Sequence, residues 1–476
     1  MKKNSFVLLL VFFSGLPLPS VYATSEKVPP PVLKTLKQLE IPASSLSIYV
    51  HDVDKNKPLL SVNGDVSRSP ASVIKLLTTF VALDTLTPAY LWKTSIYATG
   101  KTRRGRLQGN LIVKGSGDPF LVTEHFWKLL QGVRQRGIRE IRGNLILDNS
   151  IFAVPPEDPA EFDGKPYRSY NVSPQGLLLN FKATTFTFRS DPQNKRVRII
   201  SDPPNSEFEI TNNIKLSNRT CRRRYRHIST HVLDNTKGKI RFSGTFPSSC
   251  PEVSFTRAIG SHKNYIFGVF KALWKQMGGT FKGTVQLGGV PQNAQHLFSV
   301  DSKPLSEVIR GMNKYSNNVM TRQLLLTLGA ETGAAPGTEQ KGVEAIQLWL
   351  QNNGIRKQTL ILDNGAGLSR KTRISSNTLG AFLVAAYKSP FMPEFVSSLP
   401  ISAMDGSLRK RFQDEPLAGM LHVKTGLLDH VRSLAGYMRT ESGKTLVVVA
   451  IQNYPNIHQG LGTRIQDQLL RWLYRR

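Results

Sequence analysis

The chain is short of cysteine, acid and long apolar runs. Two cysteines, Cys221 and Cys250, stand in 476 residues, too few for a disulfide scaffold and too far apart in sequence for a thiolate metal cluster. In an oxidising compartment such a pair bridges more often than it stays free. After the first residues no apolar stretch approaches the roughly 20 residues of a membrane-spanning helix. His227 and His231 are four apart but lack a neighbouring glutamate and a third ligand, so no metal site is expected and no cofactor is called for. No Gly-x-Ser-x-Gly elbow occurs. Acids number 33 against 63 lysines and arginines, a net charge of +30. The charge implies an anionic partner. Without a nucleic-acid-binding motif, a carboxylate-rich wall polymer or an anionic membrane surface is the expected partner, not nucleic acid. Arg222, Arg223, Arg224 and Arg226 form the densest cluster, read as a solvated loop or a polymer contact.

The N-terminus has Lys2 and Lys3, the apolar run Phe6 to Phe13 and the small-x-small sequence Val21-Tyr22-Ala23. This predicts an export signal, residues 1–23, cleaved after Ala23 and delivering the protein to the periplasm. Loss of its two lysines lowers the net charge from +30 to +28.

Apolar periodicity gives a mixed α/β (α+β) chain. Leu46, Ile48 and Val50 alternate as a strand, and a helix carrying Val73, Leu76, Leu77, Phe80 and Val81 starts behind Ser69-Pro70, placing Ser72 in its first turn. Gly109-Asn-Leu-Ile-Val113, Gly143-Asn-Leu-Ile-Leu147 and Gly283-Thr-Val-Gln-Leu287 are similar strands separated by helical patterns, the signature of matching helix–strand units. Short alternating runs between about 165 and 250 suggest a small β domain. Helices return after Ser302, then three strands and a last helix with Ile465, Leu469, Trp472 and Leu473 on one stripe, suited to packing on a sheet or lying on a membrane.

Ser72 and Lys75 are three apart on one helix, so their side chains meet. A serine hydroxyl attacks near neutral pH only when a base takes its proton, and a lysine can do so once burial or a second cation lowers its pKa. Ser-x-x-Lys alone is weak: roughly two are expected by chance, and Ser407 to Lys410 is a second. Ser316-Asn-Asn318 also has decoys, at Ser61 to Asn63, Ser169 to Asn171 and Ser375 to Asn377. Lys424-Thr-Gly426 occurs once and ends the apolar run Met420 to Val423. The ordered trio is the signature of penicillin-binding proteins and serine β-lactamases.

With these motifs the chain resembles the low-molecular-mass class C penicillin-binding proteins, the D-alanyl-D-alanine carboxypeptidase/endopeptidase family of peptidase clan SE (penicillin-binding protein four type). Pro70-Ala-Ser72-Val-Ile-Lys75-Leu, Gly115-Ser-Gly-Asp118-Pro, Leu147-Asp148-Asn-Ser-Ile-Phe152, Asp363-Asn-Gly-Ala-Gly-Leu-Ser-Arg370 and Asp405-Gly-Ser-Leu-Arg409 carry the resemblance beside the trio. It implies a penicillin-binding transpeptidase/β-lactamase-like domain, residues 24–86 and 296–476, split by two nested insertions: a mixed α/β domain, 87–164 and 251–295, and a small β domain, 165–250. It further implies that Ser72 is acylated with Lys75 as base, that Ser316 and Lys424 pass a proton to the leaving D-alanine, and that Asn318, Thr425, Gly426 and Leu427 hold the substrate. Asp148 and Arg370 are expected at the diaminopimelate end of the stem peptide; Asp429 stands where relatives can have a polar amide. Peptidoglycan stem peptides and β-lactams are the implied ligands. A β-lactamase or esterase of the same fold, or a non-catalytic wall-binding protein, are the rival readings.

Overall fold

The structure, a computed structural model, describes residues 27–221, 227–356 and 358–476. The expected signal peptide, its cleavage point at Ala23 and the Arg222–Arg226 cluster lie outside the described residues.

A five-stranded antiparallel sheet forms the base, in the order Leu421–Leu428, Val431–Arg439, Thr445–Asn453, Leu46–Asp52, Leu60–Val62. Its central strands are apolar on both faces because each face meets helices. Along Thr445–Asn453, Val447, Val449 and Ile451 enter one core with Leu76, Leu77 and Phe80, while Leu446, Val448 and Ala450 enter the other with Val32, Leu36, Ile465 and Leu469. This is the period-2 alternation of a strand split between two cores. The apolar stripe of the last helix, Leu461–Tyr474, is therefore spent on the sheet together with the first helix, Pro30–Gln38.

After Leu86 the chain leaves this sheet and returns to it only after Asp301. The excursion builds a second five-stranded sheet, Val285–Leu287, Leu145–Asp148, Leu111–Lys114, Lys93–Ala98 and Gln295–Asp301. The first three strands are parallel, linked across helices Thr123–Gln135 and His262–Gln276, whose apolar faces share one core with it. The repeated Gly-Asn of the sequence now has a cause. Asn110 Oδ1 accepts from the Asn144 N–H at 2.8 Å, and Asn144 Oδ1 from the Thr284 N–H at 2.9 Å. A Cβ on Gly143 or Gly283 would lie 2.4 and 2.0 Å from the carbonyl oxygen of the preceding unit's glycine. Thr284 ends the series because Val285–Leu287 is the edge strand.

Two further three-stranded sheets, spanning residues 184–257, close on a phenylalanine-rich core of Phe186, Phe188, Phe242 and Phe246. Cys221 and Cys250 are disulfide-bonded beside it, with Cα atoms 5.0 Å apart.

Candidate active site

Ser72 lies in a 3-10 turn, Ala71–Ile74, and the α-helix proper begins at Lys75. The nucleophile is thus one turn ahead of the position that the sequence suggests. The preceding Ala71 has φ 49°, a left-handed conformation that costs a non-glycine residue roughly 1–2 kcal/mol. Packing from the two outermost strands of the base sheet holds it. The Ser433 hydroxyl donates to the Pro70 carbonyl at 2.5 Å, and a Cβ on Gly426 would lie 2.1 Å from Ser433 Oγ and 2.7 Å from Pro70 O. The glycine after Lys424-Thr425 is therefore required by the turn that carries Ser72.

Lys75 is fully buried. Its Nζ is 3.1 Å from Ser72 Oγ and 2.6 Å from Asn318 Oδ1, and also reaches the Ala366 carbonyl. Burial, reinforced by the charge of Lys424, holds its amine well below the ordinary lysine range. A neutral amine has two N–H bonds and one lone pair. Asn318 Oδ1 and Ala366 O take the two N–H bonds, leaving the lone pair for the hydroxyl proton of Ser72.

Ser316 follows the helix Leu305–Lys314, in a left-handed conformation with φ 59°. Asn317 caps the next helix by accepting from the Met320 N–H at 3.1 Å, which puts Asn318 at that helix's first position. Lys424 Nζ donates to Ser316 Oγ at 2.8 Å and to the Thr425 carbonyl at 2.9 Å. Burial pushes the Lys424 pKa down to about 7, so this amine exchanges a proton near neutrality. The Thr425 hydroxyl donates to Ser407 Oγ at 2.9 Å; Ser407 belongs to the decoy Ser-x-x-Lys and had no assigned part.

Leu427 is 52% exposed on the outer strand. Along that strand, the N–H groups of Leu421 and Val423 point outward to Ser402 Oγ and Pro400 O. Strand alternation therefore aims the N–H groups of Thr425 and Leu427 from the same edge, beside Ser72.

The site opens into a cavity of about 750 Å³ lined by Ser72, Ser316, Asn318, Leu427, Arg370 and Asp429, among others. Arg370 is thus at the cavity, its guanidinium 5.0 Å from the Phe162 ring centroid and 3.4 Å from Asp429. Asp148 is not. It is 2% exposed at the end of its strand, where its carboxylate accepts from the Ser150 N–H at 2.9 Å and the Val290 N–H at 3.2 Å. This placement corrects the sequence expectation, because those bonds occupy Asp148 in closing a loop. Besides Asp429, the carboxylate that lines the cavity is Asp163. It accepts from Tyr170 OH at 2.7 Å and Asn171 Nδ2 at 2.8 Å. Burial works to raise its pKa, but these hydrogen bonds prevail and hold it below the usual carboxylate value. Phe162, Asp163 and Tyr170 were missed because they sit in an irregular loop without periodicity; the only signal was Glu157, Asp158, Glu161 and Asp163 crowded in an acid-poor chain.

The protein is 25% identical over 412 residues to the D-alanyl-D-alanine carboxypeptidase DacB of Haemophilus influenzae, covering 86% of this chain and 85% of that one. It is 28% identical over 423 residues to a D-alanyl-D-alanine carboxypeptidase of Actinomadura sp., covering 83% and 76%. Its fold matches the crystal structure of penicillin binding protein 4 from Haemophilus influenzae with a TM-score of 0.77 at 24% identity, over 94% of this chain and 99% of that one. Residues 31–476 match one peptidase family throughout, and the chain belongs to it: the D-Ala-D-Ala carboxypeptidase 3 (S13) family.

Proposed function

We propose that the protein hydrolyses the D-alanyl-D-alanine bond of peptidoglycan stem peptides through an acyl-enzyme at Ser72, and that penicillins acylate the same hydroxyl. The observation that carries this is the pair of buried amines on two serines, Lys75 on Ser72 at 3.1 Å and Lys424 on Ser316 at 2.8 Å, at the floor of one open cavity.

In the first step Ser72 Oγ bonds to the carbonyl carbon between the two D-alanines while its proton passes to Lys75. The developing oxyanion lies between the backbone N–H groups of Ser72 and Leu427, fixed dipoles that favour charge formed in the transition state. The carbon–nitrogen bond then breaks, and the departing D-alanine amine takes a proton through Ser316 and Lys424. Asn318 presents its amide N–H₂ to the substrate, since its Oδ1 is held by Lys75, and Thr425 binds the terminal carboxylate. Water then attacks the ester and restores Ser72.

Arg370 and Asp163, facing the same cavity, complement the carboxylate and amino groups at the diaminopimelate end; Asp163 replaces Asp148 in this part. A D,D-crosslink is the same type of amide, so we extend the reading to D,D-endopeptidase activity, in the periplasm after export. No described helix is long and apolar enough to cross a membrane.

Fluorescent penicillin should label the wild type and not Ser72→Ala, and purified pentapeptide muropeptides should release D-alanine with the wild type alone. An unlabelled wild type that releases no D-alanine would overturn the proposal. Crosslinked dimers in the same assay test the endopeptidase part.

A further inference from the structure

At the far end of the inserted α/β body four two-residue strands form a small sheet in the order Thr280–Phe281, Glu140–Ile141, Arg106–Leu107, Thr102–Arg103. One face is apolar and spent, with Leu107 and Ile141 buried and Phe281 packed beside them. Cations dominate the other. Arg103 stands directly opposite Arg106 in the antiparallel pair, and Arg106 is beside Glu140. Arg106, Arg142 and Lys282 all converge on Glu140, at 3.2, 2.9 and 3.6 Å. Lys101, Arg104 and Arg139 are exposed around them. Among the described residues no carboxylate comes within ion-pair distance of Lys101, Arg103, Arg104 or Arg139. Seven cations thus share one acid.

Such an arrangement does not serve the fold. Like charges directly opposite on neighbouring strands are destabilising, and one carboxylate cannot neutralise three cations as well as support four more. An external polyanion removes that repulsion. The face is open, which disfavours a small anion, and none of its exposed side chains is a large apolar residue, which disfavours insertion into a lipid surface.

The placement adds to this. Three strands of the large sheet, Leu111–Lys114, Leu145–Asp148 and Val285–Leu287, start just after the basic sheet and run away from it. Beyond the end of the first, the Gly117 carbonyl accepts from Gln323 Nε2 at 3.3 Å, on the helix that begins with Asn318. The basic face and the helix that begins with Asn318 are therefore at opposite ends of these strands, on the order of 20 Å or more apart.

We infer that the Arg103/Arg106 face is a docking surface for the carboxylate-bearing, peptide-substituted glycan of the cell wall, holding the enzyme on the polymer whose stems it cuts. The choice of polymer rests on the proposed function. The surface itself rests on the charge arrangement.

The test uses full-length Ser72→Ala protein, so that binding needs no catalysis, and purified sacculi in a sedimentation assay. Adding R103Q/R104Q/R139Q, which spares the Glu140 ion pairs, should weaken binding roughly tenfold, and high salt should abolish it. In the catalytically intact chain the same triple change should leave hydrolysis of a small soluble stem peptide unaltered while slowing that of intact sacculi. Matching thermal melts establish that the variant is folded, and R103K/R104K/R139K should retain binding. Undiminished sedimentation of the folded glutamine variant would overturn the inference. Preferential binding of the wild type to phosphatidylglycerol vesicles over sacculi would also overturn it, in favour of a lipid surface. Loss of sacculus binding in the variant of a protein that proves unable to release D-alanine would leave the surface standing and refute the function alone.

Discussion

Arg322 reaches Glu157 across 165 positions of sequence and ties the loop that lines the cavity to the helix that begins with Asn318. Arg322 is 8% exposed and also donates to Glu339 at 3.0 Å. It lies one helical turn beyond Asn318, while Glu157 opens the segment that runs to Phe162 and Asp163. Removing the guanidinium leaves two half-buried carboxylates facing each other. Arg322→Met should lower stability by about 1–3 kcal/mol, less than a fully buried pair would lose because both acids keep some solvent. Urea unfolding measures this. If the clamp positions the loop, KM for a stem peptide rises severalfold while acylation by a small penicillin changes little; equal losses in both would show a general collapse of the site instead.

Leu427 separates backbone from side chain. Its side chain is half exposed, whereas its N–H is assigned to the oxyanion. Leu427→Pro removes that donor on an edge strand, where proline is tolerated, and should slow penicillin acylation by about 10²–10³-fold. Leu427→Ala keeps the donor and should stay within a few-fold of the wild type. Stopped-flow acylation distinguishes them, and equal rates for the two variants would remove Leu427 from the oxyanion site.

Gly426→Ala adds a methyl where Ser433 Oγ and Pro70 O already stand. Overpacking of this kind costs roughly 1–3 kcal/mol, and here the strain falls on the turn that carries Ser72. Acylation should drop more than tenfold while Lys424 and Thr425 remain in place, with a modest fall in melting temperature. An unaltered acylation rate would mean that the turn can move without loss.

The buried amines also set a pH dependence of stability. Lys424 is pushed down to about 7 from an ordinary value of 10.5, and Lys75 is lowered as well. Between about 7 and 10.5 the unfolded chain binds a proton that the folded Lys424 does not, so stability rises with pH across that window, by up to about 1.4 kcal/mol per unit for one lysine. Below it both states are charged and the burden is complete. Lys424→Met should therefore be more stable than the wild type at pH 6, with the difference shrinking towards pH 10. Parallel melting curves across this range would contradict the lowered pKa.

The elements legible in the sequence were those with a local cause. The Gly-Asn strands repeat because each asparagine caps its neighbour's backbone. Lys424-Thr-Gly426 is visible because lysine and glycine there serve fixed geometry. Ser72 and Lys75 keep their spacing through both a 3-10 turn and an α-turn, so the pair was visible even though the helix start was displaced. Asp148 and Asp163 show where this fails. Each is an aspartate near a loop, and only the fold decides that one accepts from the backbone of Ser150 and Val290 while the other faces the cavity. The left-handed Ala71 was equally hidden, since what sustains it, Ser433 and Gly426, arrives from more than 350 positions away.

The hydrogen bond from Lys75 to Asn318 spans 243 positions, and nearly all of that interval is the excursion between Leu86 and Asp301. During synthesis the helix of Ser72 is made first and has neither its partner amide nor its edge strand until the last third of the chain follows. Closing so long a loop is entropically costly unless the intervening bodies have already folded and drawn their ends together. A chain that stops short of Leu421–Leu428 lacks the strand that completes the site around Ser72, and reactivity towards penicillin becomes a report on completed folding.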